Sequence, residues 1–422
     1  MYLVDFNIYI MLKSIKVRLY LNNEQFQKIN SLLGSSRFVY NQCLSYRISR
    51  YESDKLNTSM SDMSHYFHQD LRDTYGWLKD HNTKVIKQSL INLDQAYKNF
   101  FKLKKGYPKF KSKNDEQKVR FPKDAISKDT FKNDKLNLTK TIKDLDFVCS
   151  DRDRNYLIKN KDLIRSVTIS KTKTGKHFAS ILIDGELLKT PKSPINNSIG
   201  IDLGIKTLVT FSNGQTIDNP KWIRSNESKL KKLQRQMSRK VKGSNNRTKA
   251  RLKLAKAHER IRNQKQDFLH NITSKIINEN QVIIIEDLNV SGMLKNHKLA
   301  KSIQELSLYE FRRQLEYKSK WYGRELILVD RWFPSSKTCS CCGWKNKDLK
   351  LSDREFKCQD CGSVLDRDLN ASLNIEMEGL KNLVGQRLSE FTLGDLPLME
   401  STDLSVDSNV RKNQEMVCNI LL

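Results

Sequence analysis

Residues 333–372 read FPSSKTCSCCGWKNKDLKLSDREFKCQDCGSVLDRDLNAS and hold five of the chain's eight cysteines. Cys339 and Cys342 form one CxxC pair and Cys358 and Cys361 another, with fifteen residues between them. That spacing is typical of a ribbon in which four thiolates close round one Zn²⁺, so the local fold is dictated by the need to bring two turns together. Cys341 competes for a place in the first pair. Gly343 follows Cys342 and Gly362 follows Cys361, so a CxxCG turn occurs twice and leaves the backbone free to curl round each sulfur pair. The ligands expected are therefore Cys339, Cys342, Cys358 and Cys361, holding one structural zinc per chain with no open position for water. The plainer alternative, a metal-free cluster of thiols, does not account for the doubled spacing.

Length and charge bound the rest. A chain of 422 residues exceeds one small domain and can bury two or three cores. Lysine and arginine number 76 against 48 acids, a net charge of +28, and a field of that size attracts a polyanion, with nucleic acid as the default partner. The opening MYLVDFNIYI is apolar but carries an acid instead of a basic leader, and charges follow at once. Neither a secretory signal nor a membrane span is expected, and the reading is of a cytoplasmic protein. In that compartment clustered cysteines are metal ligands sooner than disulfides.

Along the chain, Ile15, Val17 and Leu19 alternate with polar residues as in a half-buried strand. Residues 22–105 then read as helices. Asn22 or Asn23 can cap one whose apolar positions are Ile29, Leu32, Leu33, Val39, Cys43 and Leu44, and Ile86, Leu90, Leu93, Tyr97 and Phe100 line the face of another. Such stripes are ordinarily core. The following YPKFKSKN is basic, broken by Pro108 and interleaved with aromatics, which suits phosphate contact through Lys105, Lys109 and Lys111. From 117 to 190 short alternating runs predict a small β-barrel or sheet, and Pro191 and Pro194 mark a linker.

Between Lys221 and Lys265 stand 17 basic and 2 acidic residues, a net +15. Leucine and isoleucine positions on both sides of Gly243-Ser244 predict an antiparallel helical hairpin. A charge run is usually a solvated face, but such faces mix signs and this one does not. Phosphate contact through Arg235, Arg239, Lys240 and Arg251 is the reading preferred. After about 385 the chain turns Ser/Asp/Glu/Asn-rich, and a mobile tail is expected.

Three acids complete the pattern. Asp202 lies in SIGIDLGIKTLVTFSNGQTI, a strand, a tight turn at Gly204 and two more strands; Glu286 ends QVIIIEDL, a run suited to a strand buried on both faces; Asp368 begins a helix with the stripe Leu369, Leu373, Met377 and Leu380. Singly, an acid near a turn or a helix start is more often a cap. Together, acids on a first strand, a central strand and a late helix can converge in an RNase H-like fold, where Mg²⁺ offsets their repulsion and two ions about 4 Å apart activate water against a phosphodiester. The ribbon would then return the chain to the helix that delivers the last acid.

GIDLGIKTLVT, IIIEDLNV, PSSKTCSCCG, REFKCQDCG and DRDLNAS, in that order, resemble the TnpB (OrfB) proteins of bacterial insertion sequences, relatives of type V CRISPR effectors. LINLDQAYKNFFKLKKGYPKFKSK resembles their N-terminal helical signature, and the likeness runs from about Met11 to Leu380. It implies a multidomain α+β protein with a RuvC-type nuclease core, an inserted zinc ribbon, and a wedge β-barrel interrupted by a helical recognition domain. On this sequence that gives an extension at 1–10, a first barrel strand at 11–21, recognition helices at 22–112 and the rest of the barrel at 113–192. The core follows at 193–333 with its basic hairpin at 221–280, then the ribbon at 334–365, the last core helix at 366–385 and a tail at 386–422. The implied activity is Mg²⁺-dependent DNA cleavage with a guide RNA and a double-stranded target as partners, the catalytic acids falling on Asp202, Glu286 and Asp368. Asp366 is passed over because the family motif sets its acid two residues before the Asn-Ala step, here Asn370-Ala371. Departures are the extension, Ser372 where alanine is common, and Cys341. An RNA-independent transposase would ordinarily order its acids Asp, Asp, Glu, and a cleavage-deficient repressor would lack one of them.

Overall fold

The computed structural model describes residues 10–186, 197–350 and 352–390. The extension before Ile10, the Pro191 and Pro194 linker with the boundary at 192–193, and the tail beyond 390 lie outside the described residues. The contacts divide into two units, one formed by the chain up to Leu188 with Arg251–Lys256, the other by the remainder.

In the first unit β1 (Ile10–Tyr20) buries Ile15, Val17 and Leu19. Three main helices follow, α1 (Asn23–Asp54), α2 (Met60–Tyr66) and α3 (Thr83–Leu103). Asn22 caps α1 by accepting from the Gln25 amide at 2.9 Å while the Gln25 side chain accepts from Asn22 N at 3.0 Å, so two orphan amides of the first turn are satisfied reciprocally. All six apolar positions expected on α1 are buried, as are Ile86, Leu90, Leu93 and Tyr97 of α3. The chain then makes β2 (Gln117–Pro122), a short hairpin of β3 (Phe131–Lys132) and β4 (Lys135–Leu136), β5 (Asp146–Val148), α4 (Asp151–Lys159), β6 (Ile164–Lys171) and β7 (His177–Glu186). Five of these strands form an antiparallel sheet in the order β2-β6-β7-β1-β5. β2 and β5 share no ladder among the described residues; instead Leu136 of β4 bridges Leu145 beside β5, and Ser127 N, just past β2, donates to Leu138 O at 2.8 Å, so the β3–β4 segment links the two ends of the expected barrel or sheet. The three-residue β5 ends just before Ser150, which caps α4, and α3 packs against β2.

The second unit is built on β8 (Ser198–Asp202), β9 (Thr207–Phe211), β10 (Thr216–Asp218), β11 (Val282–Glu286) and β12 (Glu325–Val329), ordered β10-β9-β8-β11-β12. β8, β11 and β12 run parallel, and β9 and β10 are antiparallel additions. Between β10 and β11 lie α5 (Glu227–Ser238) and the long α6 (Asn245–Glu279); α7 (His297–Leu306) and α8 (Leu308–Tyr322) precede β12. A two-stranded ribbon, β13 (Glu355–Lys357) and β14 (Val364–Asp366), leads into α9 (Arg367–Glu390).

Central β11 divides its isoleucines by the period of two: Ile283 and Ile285 join the core that includes Ile272 and Ile276 of α6 and Phe311 and Leu315 of α8, whereas Val282 and Ile284 pack with Ile375 and Leu383 of α9. Gly200 lets α9 lie flush on β8, since a Cβ there would stand 2.2 Å from the Ser372 carbonyl oxygen. α9 also runs five residues past the end expected at 385, because Gln386–Glu390 contains no proline or second glycine to stop it.

Candidate active site and metal centre

The cysteine knuckle is built by short-range turns. Cys339 N donates to Trp344 O at 2.7 Å and Gly343 N to Cys339 O at 3.0 Å; in the second turn Cys358 N donates to Ser363 O at 2.9 Å. Gly343 and Gly362 take φ of 80° and 75°, the left-handed region that closes each turn without strain. The Sγ atoms of Cys339, Cys342, Cys358 and Cys361 all lie within 4.8 Å of one another, with Cys339–Cys361 at 3.7 Å and Cys342–Cys358 at 3.5 Å. Four sulfurs each about 2.3 Å from a tetrahedral Zn²⁺ stand roughly 3.8 Å apart, so the donor set fits that ion. Cys341 instead packs with Trp344 and Leu349 on the knuckle's small core.

The three acids meet at the carboxyl ends of the parallel strands. β8 and β11 pair through Ile285↔Ile201, so their next residues, Glu286 and Asp202, end adjacent strands. Asp368 lies in the first turn of α9, the helix seated on β8. Burial, then the charge of Glu286, then that of Asp368 push the half-buried Asp202 carboxyl up to about 7, with Arg367 opposing them. Burial also raises Glu286, offset by the Ser335 hydroxyl, which donates to its Oε1 at 2.6 Å. Asp368 is approached by Arg367 at 3.3 Å and Arg354 at 3.9 Å. Among the described residues the carboxylates do not form a group as tight as the thiols. They form a negative cluster whose charge the protein leaves partly uncompensated, and such a donor set suits hard cations.

The neighbours of these acids are occupied otherwise. Asp287 is bound by both Arg312 and Arg331, and those hydrogen bonds hold its carboxyl below the usual range. Asp366 accepts from Asp368 N at 2.9 Å and Leu369 N at 3.1 Å, the work of a helix N-cap. Each doublet thus separates into one acid that serves the fold and one that faces the cluster.

Family profiles match much of the chain: one described as a probable transposase, of the OrfB/IS605 type, over residues 168–297, a Cas12f1-like TNB domain over 309–375, and a helix-turn-helix domain over 11–55. A Streptomyces pristinaespiralis protein named "Putative RNA-guided DNA endonuclease" is 38% identical over 370 residues, 87% of this chain and 89% of its own. InsQ of Escherichia coli K12, which bears the same description, is 31% identical over 87% of this chain and 92% of its own. The chain belongs to the TnpB (OrfB) family. Its fold extends to more distant proteins: the chain in a cryo-EM structure of a Cas12f1–sgRNA–target DNA complex has a TM-score of 0.53 at 17% identity, covering 87% of this chain and 99% of that one. In this TnpB chain the stretch matched as helix-turn-helix is a strand followed by one uninterrupted 32-residue helix.

The basic residues named from sequence stand in two places. Lys105, Lys109 and Lys111 are all exposed; the Lys111 ammonium lies 3.6 Å from the Tyr40 ring centre, where partial desolvation lowers its pKa. The loop is pinned there by Asn41, which exchanges hydrogen bonds of 2.8 and 2.9 Å with the Lys111 backbone, and Tyr107 packs edge-on against Tyr97 and Phe100. Arg235 of α5, Arg239 and Lys240 just past its end, and Arg251 of α6 are exposed; Arg251 donates to Asn114 Oδ1, and α5 buries none of its side chains. Sequence reasoning assigned no role to Ser335, Asn370 or Asn374. Asn370 Nδ2 donates to Thr338 O at 2.7 Å and its Oδ1 accepts from Ser340 N at 3.0 Å, while Asn374 Nδ2 donates to Ser335 O at 2.8 Å. The two asparagines, one helical turn apart, hold the segment that carries Ser335 to Glu286. Their i, i+4 spacing, which sets both amides on one side of α9, is the signal that marks them. Among the described residues no helix is long and apolar enough to cross a membrane.

Proposed function

We propose that the protein is an RNA-guided DNA endonuclease of a mobile element, hydrolysing phosphodiesters at Asp202, Glu286 and Asp368. The observation that carries this reading is the upward push on Asp202 by burial and two other carboxylates, a strained charge cluster that cation binding would relieve. Relatives across most of the chain named for this activity support it. Two Mg²⁺ held between the acids would activate the attacking water and stabilise the leaving oxygen.

The chain's own residues do the rest. Ser335 orients Glu286, the arginine pair keeps Asp287 from joining the cluster, and Asp366 caps α9 so that Asp368 sits at a fixed height on the sheet. Cys339, Cys342, Cys358 and Cys361 hold a structural zinc, and the ordered knuckle keeps the Ser335 segment against Asn370 and Asn374. Residues 22–112 serve as the recognition helices and the five-stranded sheet of the first unit as the wedge. The exposed cations of the loop, Lys105, Lys109 and Lys111, and of the basic helices, Arg235, Arg239, Lys240 and Arg251, contact phosphates of guide RNA and target duplex. Base pairing to RNA then reads sequence while the protein holds backbone, work suited to the cytoplasm.

RNA copurifying with the protein should be structured and of defined end, and rewriting its guide end should move the cleavage position. RNA-free protein that still cuts one defined duplex at full rate would sink the guided reading and leave an autonomous nuclease or transposase.

A further inference from the structure

The turn between β12 and the knuckle presents a side chain that the packing does not use. Trp332 is 84% exposed, the most exposed large apolar side chain among the described residues. Its backbone is nonetheless fixed: Trp332 N donates to Asp330 Oδ1 at 2.7 Å and Phe333 N to Asp330 O at 3.0 Å. Both flanks are tied to the acids. Arg331 binds Asp287, beside Glu286, and Ser335 donates to Glu286 itself. Val329 stands opposite Glu286 in the parallel ladder, so Trp332 follows three residues later, within roughly 10 Å of chain from the carboxylate end of the sheet.

An indole held out of the core on an immobilised turn, next to an arginine and beside a phosphodiester-cutting centre, has the properties of a base-stacking platform. Resting on the endonuclease reading above, we propose that Trp332 stacks on an unpaired base of the strand being cut, next to the scissile phosphodiester. A duplex hides both faces of its bases, so the stack selects a strand already separated from its complement. Every base has a π-face, so it adds no sequence preference and fits a protein that leaves sequence to paired RNA.

Single-turnover cleavage by guide-loaded protein tests this. Trp332→Ala should slow cutting about tenfold or more, Trp332→Phe and Trp332→Tyr should recover most of the rate, and Trp332→Leu should not. On wild-type protein, a strand with one abasic position near the cut should be slowed by a similar factor, and Trp332→Ala should be insensitive to that lesion. The inference falls if Trp332→Ala cuts at the wild-type rate, if leucine restores as much as phenylalanine, if phenylalanine does no better than alanine, or if the alanine variant keeps the abasic penalty. Should the alanine variant misfold, seen as lost zinc or a lowered Tm, the abasic scan on wild-type protein decides alone: a slowed position supports the stack and a flat scan overturns it. Wild-type protein that cuts no guided target fails the endonuclease reading instead, a result distinct from all of these.

Discussion

The cysteine knuckle draws its four thiols from the short run Cys339–Cys361, whereas the carboxylate cluster takes Asp202, Glu286 and Asp368 from segments that meet only in the folded sheet. In the knuckle, backbone turns and two glycines at positive φ gather the sulfurs to ion-binding distance. In the cluster, strands and a helix bury Asp202 and bring two more acids towards it, and burial first, then their repulsion, raise its carboxyl. A closed, compact donor set suits structure; a strained, looser one suits ions that must also receive substrate.

Breaking the acid cluster should have the largest effect. Asp202→Ala, Glu286→Ala or Asp368→Ala should each lower the guided cleavage rate roughly a thousandfold or more, since every ligand shares in stabilising transition-state charge worth several kcal/mol, while gel-shift binding of RNA and target stays near wild type. The knuckle should respond in metal content first. Cys342→Ser or Cys361→Ser should release zinc and unfold the ribbon, because binding and local folding are one equilibrium, and Cys341→Ser should keep the full complement by elemental analysis. Full zinc in the Cys342 variant would overturn the ligand assignment.

The strain in the acid cluster has a sign that titration can read. Because the folded Asp202 carboxyl is raised from its ordinary value of 3.8 to about 7, the folded protein keeps a proton that the unfolded chain has already released. Metal-free protein should lose up to about 1.4 kcal/mol of stability per pH unit as pH rises across that window. The raised Glu286 acts in the same direction. Mg²⁺ affinity should climb about tenfold per unit over the same range and level off above it. Asp202→Asn should flatten the stability slope, and an unchanged slope in that variant would assign the strain elsewhere.

The smallest effect separates neighbours. Asp366→Ala removes a cap and should cost about 1 kcal/mol in melting experiments with cleavage largely kept. An inactive Asp366→Ala beside an active Asp368→Ala would reverse the two roles.

What could be read from sequence follows the same division. Cys339 and Cys342 could be paired, and Cys341 set aside, from Gly343 and Gly362; the α1 and α3 stripes declared themselves through their period and the doubly buried β11 through an unbroken apolar run. The extent of α9 beyond 385 was obscured by a polar tail composition that says little about local helix propensity. The packing of α3 on β2 joins segments that share no local pattern.

The sequence by itself determined the knuckle, the hairpin's one-signed charge and the order Asp, Glu, Asp, because spacing, composition and chain order are local or countable. Only the tertiary structure decided that Asp287 is neutralised by Arg312 and Arg331 while Glu286 receives a lone hydroxyl from Ser335. It alone set Asp366 as a cap and left Trp332 outside the core. Adjacent residues with the same charge differ there because electrostatic and hydrogen-bond partners act over a few ångströms of space, and those partners come from elements far apart along the chain.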